Sequence, residues 1–303
     1  MKTHGPARAL RFGLLLTLAF AGVEVAAGFA SGSLALVADA GHMLVDSAGL
    51  VLALAATLFA RRPSDIRRTY GYARAEVLVV PLHVVLMLGL AAYIVFEAFG
   101  RLGDPQTIEW QPVLVTGGIG LALNLFVFRL LHPHAHDNLN ARGAMFEVTA
   151  DALGSVGVIL SASVIAVWGW SQVDVVISIA IAALVVPRAV LLLRPVLAIL
   201  LEGSPPGVSV DAIQEDARNI VGVNALHDLH VWSLAPTFIA LSAHVEVESM
   251  ADCEASIGSL TTMLRDRHGI AHVTLQPETR ELHDAIACCL YPDAGVAEVA
   301  HVH

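Results

Sequence analysis

The sequence predicts a membrane α-helical bundle of six transmembrane helices followed by a cytosolic α+β domain, and three observations predict it. Of 303 residues, 56% are hydrophobic and 15% charged, against about 45–50% and about 25% in soluble domains. Six apolar runs each approach the ~20 residues that cross a hydrocarbon core of ~30 Å, and they stop near residue 201. The charge divides at the same place. Residues 1–201 carry 13 Lys/Arg and 12 Asp/Glu, whereas residues 202–303 carry 4 and 15, so the net charge of −10 belongs to the C-terminal part. Such a domain attracts cations and repels nucleic acid. Aromatic residues make up only 6% of the chain, which argues against an outer-membrane barrel with its aromatic girdles.

The first run, 10–29, follows Arg8 and Arg11 and ends in small residues near Ala27, as a secretory signal does. Five further runs follow and Glu24 interrupts it, so it reads as a retained span. The others cover 34–60, 73–98, 111–131, 143–168 and 173–199. Lys2, Arg8, Arg11, Arg61, Arg62, Arg67, Arg68, Arg74, Arg129, Arg142, Arg188 and Arg194 fall on one side of these spans and Arg101 alone on the other. The positive-inside rule then places both termini in the cytoplasm. After Glu202-Gly-Ser-Pro-Pro the periodicity becomes that of a soluble domain. A helix is expected over 210–221, strands over 225–234 and 238–248 with a turn at Pro236, a helix over 250–268 and a strand over 271–277. The domains are therefore 1–201 in the membrane and 202–303 in the cytosol. Cys253, Cys288 and Cys289 all lie in the tail with no disulfide framework, which fits a reducing compartment.

The spans carry Glu24, Asp39, His42, Asp46, Glu76, Asn124, Glu147, Asp151 and Asp174 within or at the edge of them. A charge at the bilayer centre costs at least ~2.5–3.5 kcal/mol, so each needs a partner, water or an ion path. Many acids without a lysine among them point to a cation. Asp39-Ala-Gly-His42-Met-Leu-Val-Asp46 on the second span and Glu147-Val-Thr-Ala-Asp151 on the fifth each place two side chains one turn apart on one face. Facing each other, His42, Asp46, Glu147 and Asp151 offer one imidazole and three carboxylates, a set suited to zinc or cobalt. On a soluble helix such a pair is ordinarily a solvated or locally satisfied one; within a span, ionisable residues are functional by default. The rival reading is a hydrogen-bond cluster that holds the bundle together, and Asp39 and Glu24 fit it better than the two pairs do.

Ser33 to Asp46 resembles the second-helix signature of the cation diffusion facilitator family. So do Arg61-Arg62-Pro63, Thr69-Tyr-Gly-Tyr72-Ala-Arg74-Ala-Glu76, Asp151-Ala-Leu-Gly154-Ser-Val-Gly157 and His227-Asp-Leu-His230-Val-Trp232. The resemblance covers about 10–280 and is strongest to the bacterial cobalt–zinc–cadmium resistance exporters. Zinc-type members usually carry His-x-x-x-Asp on both helices, and Glu147 stands here where the second histidine is expected. A hard anionic oxygen replaces a neutral nitrogen, which widens the expected substrates from Zn²⁺ to Co²⁺ and Cd²⁺.

The resemblance implies a homodimeric, multi-pass exporter of divalent metal ions in the cell inner membrane, working by alternating access in exchange for protons. Metal binding needs deprotonated carboxylates and a neutral imidazole, so protons and metal compete for one site. Asp39 and Asn124 are candidates for orienting His42 or lining the path; helix-to-helix hydrogen bonding serves equally as a reading. His132, His134 and His136 form a short cytoplasmic loop like a reduced version of the family's His-rich loop, either handing metal on or forming a solvated turn. The tail resembles the family's ferredoxin-like, metallochaperone-like domain, and His227, His244 and Glu278 fall where its cytosolic metal ligands are found. His230 and His272 are weaker candidates, and adjacent Cys288-Cys289 lacks the spacing of a thiol clamp. His301-Val-His303 is weaker still. An intramembrane metalloenzyme would want a His-Glu-x-x-His helix, which is absent from the sequence. The alternative is a membrane-bound metal sensor signalling through its cytosolic domain.

Overall fold

The computed structural model describes residues 5–104, 106–134, 139–251 and 253–286, with side chains for 15–104, 106–133, 143–251 and 253–283. The chain divides into two compact units at residues 196 and 197.

The first unit is all helical: α1 (Gly5–Ser31), α2 (Leu34–Ala60), α3 (Ala75–Gly103), α4 (Trp110–Leu131), α5 (Leu139–Trp168) and α6 (Gln172–Leu200). Among the described residues, the last five are long and apolar enough to cross a membrane; the apolar stretch Leu15–Ser31 of α1 has 17 residues. That is the lower limit for a span. Inward faces build the core from Leu34 and Leu36 on α2, Met87 and Ile94 on α3, Val158 and Ala162 on α5, and Val185 on α6. Outward faces expose Val51, Leu54, Phe96, Phe99 and Leu191, an apolar surface that hydrocarbon would cover without cost.

Two charged residues explain where helices meet. Asp174, in the first turn of α6, accepts hydrogen bonds from the Ser33 hydroxyl at 2.6 Å and from the backbone N–H of Leu34 at 2.6 Å and Ala35 at 3.2 Å. Ser33 itself caps α2 by accepting from Leu36 N–H at 3.2 Å. A carboxylate at a helix N-terminus satisfies unpaired donors and favours the positive end of the dipole. Arg101, near the end of α3, donates to the Gly32 carbonyl at 2.6 Å and to Glu97 at 3.1 Å.

The arginine-rich loop between α2 and α3 is a folded one. Asp65 accepts from the backbone N–H of Arg67 and Arg68, each at 2.8 Å, and from the Tyr72 hydroxyl at 2.9 Å. The Tyr72 bond and those two N–H groups hold its carboxyl below the usual aspartate range.

The second unit orders α7 (Val210–Arg218), β1 (Val223–Ala235), β2 (Phe238–Val247), α8 (Cys253–His268), β3 (His272–Glu278) and α9 (Arg280–Ile286). The α-β-β-α-β order is as expected, and α9 follows it. The sheet order is β1-β2-β3, with β1 antiparallel and β3 parallel to the central β2. The parallel pair requires a crossover, which α8 supplies. Ile213 and Ala217 of α7 and Leu260 and Leu264 of α8 pack on Leu226, Leu241, Ala243 and Val245. Between His227 and His230 the β1 register slips against β2, pairing His227 with His244 and His230 with Ser242. One extra residue is accommodated there, and Asp228 takes φ 48°, a left-handed conformation that aspartate tolerates better than most side chains.

Candidate metal centres

The two ligand pairs read from the sequence lie on α2 and α5, and the bundle brings three of their four residues together. His42 Nε2 is 3.4 Å from Asp46 Oδ2 and 3.7 Å from Asp151 Oδ1. Together His42, Asp46 and Asp151 offer one ligand atom each, all within 4.8 Å of one another. Two ligands held at ~2.1 Å from a tetrahedral ion stand ~3.4 Å apart, so the spacing suits one small divalent cation. Asp46 and Asp151 are buried, and Asp46 Oδ1 and Asp151 Oδ1 find no hydrogen-bond donor among the described residues. Buried oxygens of that kind are costly unless a cation meets them.

Glu147 reaches the site less directly. Its Oε1 accepts from Arg188 Nη2 at 2.8 Å, while Nη1 of the same guanidinium donates to Asp46 Oδ2 at 2.6 Å. By charge alone, Arg188 counts among the positive residues that flank the sixth span. The structure corrects that: its half-buried side chain lies inside the bundle between α2 and α5. His83 of α3 is a second residue that the sequence reading passed over, with Nε2 3.7 Å from Asp46 Oδ1. The α2 backbone leaves room for it at Gly49, where a Cβ would run into the imidazole ring. An ionisable residue within an apolar run was the signal for both.

Asp39 and Asn124 belong to a neighbouring network. Asn124 Nδ2 donates to Ser155 Oγ at 3.4 Å, and Ser155 Oγ donates to Asp39 Oδ2 at 3.5 Å. The chain joins α4, α5 and α2, and no hydrogen bond links it to His42 among the described residues. Asp39 packs directly over Gly154 of α5, whose missing Cβ is what admits the carboxylate. Glu24 of α1 is fully buried beside Gly120 and Ser155. Its two oxygens have no hydrogen-bond donor among the described residues.

A second cluster forms in the cytosolic unit around Glu278, the last residue of β3. His227 Nε2 lies 2.8 Å from Glu278 Oε1 and His244 Nδ1 lies 3.0 Å from Oε2. His283 of α9, which the sequence reading did not single out, places Nδ1 2.9 Å from Oε1. His227, Glu278 and His283 have ligand atoms within 4.8 Å of one another. Burial by itself would raise the Glu278 pKa. The hydrogen bonds from His244 and His283, with the charge of His227 and His244, outweigh it and hold the carboxyl below its ordinary value of 4.5. His227, Glu278 and His283 together offer nitrogen and oxygen donors of the kinds that suit a divalent cation, with His244 bonded to the other carboxylate oxygen.

Of the remaining candidates, His230 reaches the cytosolic cluster only through Asp228, whose Oδ2 lies 3.9 Å from His244 Nε2. His230 Nε2 pairs with Asp228 Oδ1 at 3.0 Å, His272 stacks edge-on against Phe238, and His132 sits 6.0 Å from Phe128, ring to ring. The His134 side chain and residues His136, Cys288, Cys289, His301 and His303 lie outside the described residues.

Sequence comparisons match both units. The family profile described as the cation efflux transmembrane domain matches residues 10–201, and that of the cation efflux protein cytoplasmic domain matches 205–280. The metal cation efflux system protein CzcD of Cupriavidus metallidurans is 40% identical over 93% of this chain and 90% of its own. The zinc transporter ZitB of Escherichia coli is 36% identical over 98% and 94%. A cadmium, cobalt and zinc/H(+)-K(+) antiporter of Bacillus velezensis is 36% identical over 88% and 87%. With both of its units matched and such relatives aligned nearly end to end, the chain belongs to the cation efflux, or cation diffusion facilitator, family.

Proposed function

We propose that this transporter exports Zn²⁺, with Co²⁺ and Cd²⁺ as further substrates, across the inner membrane in exchange for protons. Divalent cation efflux by a secondary transporter, without catalysis, follows from family membership. The metals and the proton partner are those in the names of the similar proteins. The observation that carries the reading for this chain is the convergence of His42, Asp46 and Asp151 within an apolar bundle, with Glu147 held beside them. These are the transport ligands in our reading. A neutral imidazole and ionised carboxylates bind the ion, and protons arriving from the far side compete for the same atoms and release it. Asp39 and Asn124 act as the network that fixes α5 against α2.

Residues 1–201 serve as the transport domain and residues 202–303 as a regulatory and dimerising domain, with both termini cytoplasmic. Its three histidines on Glu278 favour a cytosolic regulatory site. Zinc flux into proteoliposomes under an imposed pH gradient tests the proposal. Gradient-driven flux in the full chain and its loss in Asp151→Ala are expected. Zinc binding without flux in either protein would instead support a sensor that works through the tail.

A further inference from the structure

Arg188 holds the atoms that the transported ion needs. Its Nη1 is 2.6 Å from Asp46 Oδ2 and 3.4 Å from His42 Nε2, and its Nη2 is 2.8 Å from Glu147 Oε1. Arginine has donors only and stays charged at every physiological pH. With Nε2 as the unprotonated nitrogen of His42, its single lone pair cannot serve both an N–H of Arg188 and a metal ion, so the two exclude each other there. A guanidinium and a divalent ion sharing one carboxylate oxygen also repel at a separation that buried surroundings screen poorly.

We propose that Arg188 is a tethered competitor of the transported cation: it neutralises Asp46 and Glu147 between transport cycles, and the ion enters only as the guanidinium withdraws. This rests on His42, Asp46 and Asp151 being the transport ligands. Competition by a built-in cation serves two purposes. It compensates the buried carboxylates when they hold no metal, and it lowers the affinity so that a bound ion can leave. The side chain is equipped for the movement. It is long and half-buried, and it follows Pro187 inside α6. A proline lacks the N–H that would bond the carbonyl four residues earlier, which loosens the helix at that turn. The displacement also sets a selectivity rule. A monovalent cation gains little by replacing a fixed positive charge, whereas a divalent ion adds net attraction to the same carboxylates.

The test is Co²⁺ binding to the full chain, followed by its visible absorption, together with Zn²⁺ flux in proteoliposomes. The signal that Asp151→Ala abolishes belongs to the site in the bundle; a signal and flux that survive Asp151→Ala overturn the transport-site reading itself. With that signal assigned, Arg188→Gln is expected to bind Co²⁺ at least about tenfold more tightly, because the fraction of competent sites rises. Its flux should show a lower KM and a lower kcat as release slows. Arg188→Lys, which keeps a tethered charge, should stay near the wild-type affinity. If Arg188→Gln does not yield a monodisperse protein, Arg188→Met makes the same comparison. Unchanged or weaker Co²⁺ binding in the neutral variant, with the Asp151-dependent signal intact, overturns the competitor role and makes Arg188 a support for Asp46 and Glu147.

Discussion

Asp174 accepts the hydroxyl hydrogen of Ser33 at 2.6 Å, a bond between side chains 141 residues apart in the chain. It also takes the first two backbone N–H groups of α2. Asp174→Ala leaves those buried donors unpaired, and a loss of about 2 kcal/mol of stability is expected. Thermal unfolding in detergent micelles reads it. An unchanged midpoint would show that water or another group takes over the cap.

Two glycines on adjacent helices should respond oppositely to the same change. A Cβ at Gly154 meets the Asp39 carboxylate, whereas at Gly118 it meets nothing within 4 Å. Gly154→Ala should cost about 1–3 kcal/mol and depress flux, because α5 is pushed from α2. Gly118→Ala should gain up to about 1 kcal/mol through helix propensity. Equal melting temperatures for the two variants would contradict the close approach.

Glu147 is the residue expected to set metal preference. Glu147→His replaces a hard oxygen by a neutral nitrogen and removes one anchor of Arg188. Zinc flux should survive while cobalt or cadmium flux falls. A metal profile identical to that of the parent would remove Glu147 from the selectivity argument.

Glu278 unites three histidines. Glu278→Gln should weaken Zn²⁺ binding in the tail by about 10–100-fold, and His283→Ala should weaken it as well if α9 contributes a ligand. The pH dependence has a definite sign. A carboxyl held below 4.5 in the folded state contributes fully above that value and loses its contribution as pH falls through the depressed one. The acid limb of unfolding, followed from pH 6 downward, should therefore be shallower in Glu278→Gln than in the parent chain.

What could be read in the sequence divides by range. The positions of α2, α4 and α6 follow from apolar runs that end at charged or glycine-containing loops, and the tail's strands follow from alternation. The i,i+4 pairs were legible because one helix sets their spacing. Arg188 and His83 escaped for the opposite reason: their partners lie on other helices, and a lone arginine in a span counts toward the charge bias that orients it. Asp174 was visible as a span acid, but its partner, the start of α2, becomes apparent only when α6 is packed against it. The extra residue at Asp228 was hidden too, since a bulge shifts pairing without changing the apolar alternation that predicts the strand. The role of His283 depended on α9, a short helix beyond the last expected strand.

The Asp174–Ser33 bond ties the start of α2 to α6. His42 lies ~12 Å and Asp46 ~18 Å along the helix from Leu34, at 1.5 Å per residue. A 10° tilt about that point would carry these two proposed ligands ~2 Å and ~3 Å, and the far end at Ala60 ~7 Å. Metal–ligand bonds tolerate changes of only ~0.2 Å, so if His42 and Asp46 hold the ion, a tilt of a few degrees at the start of α2 would be enough to break both bonds.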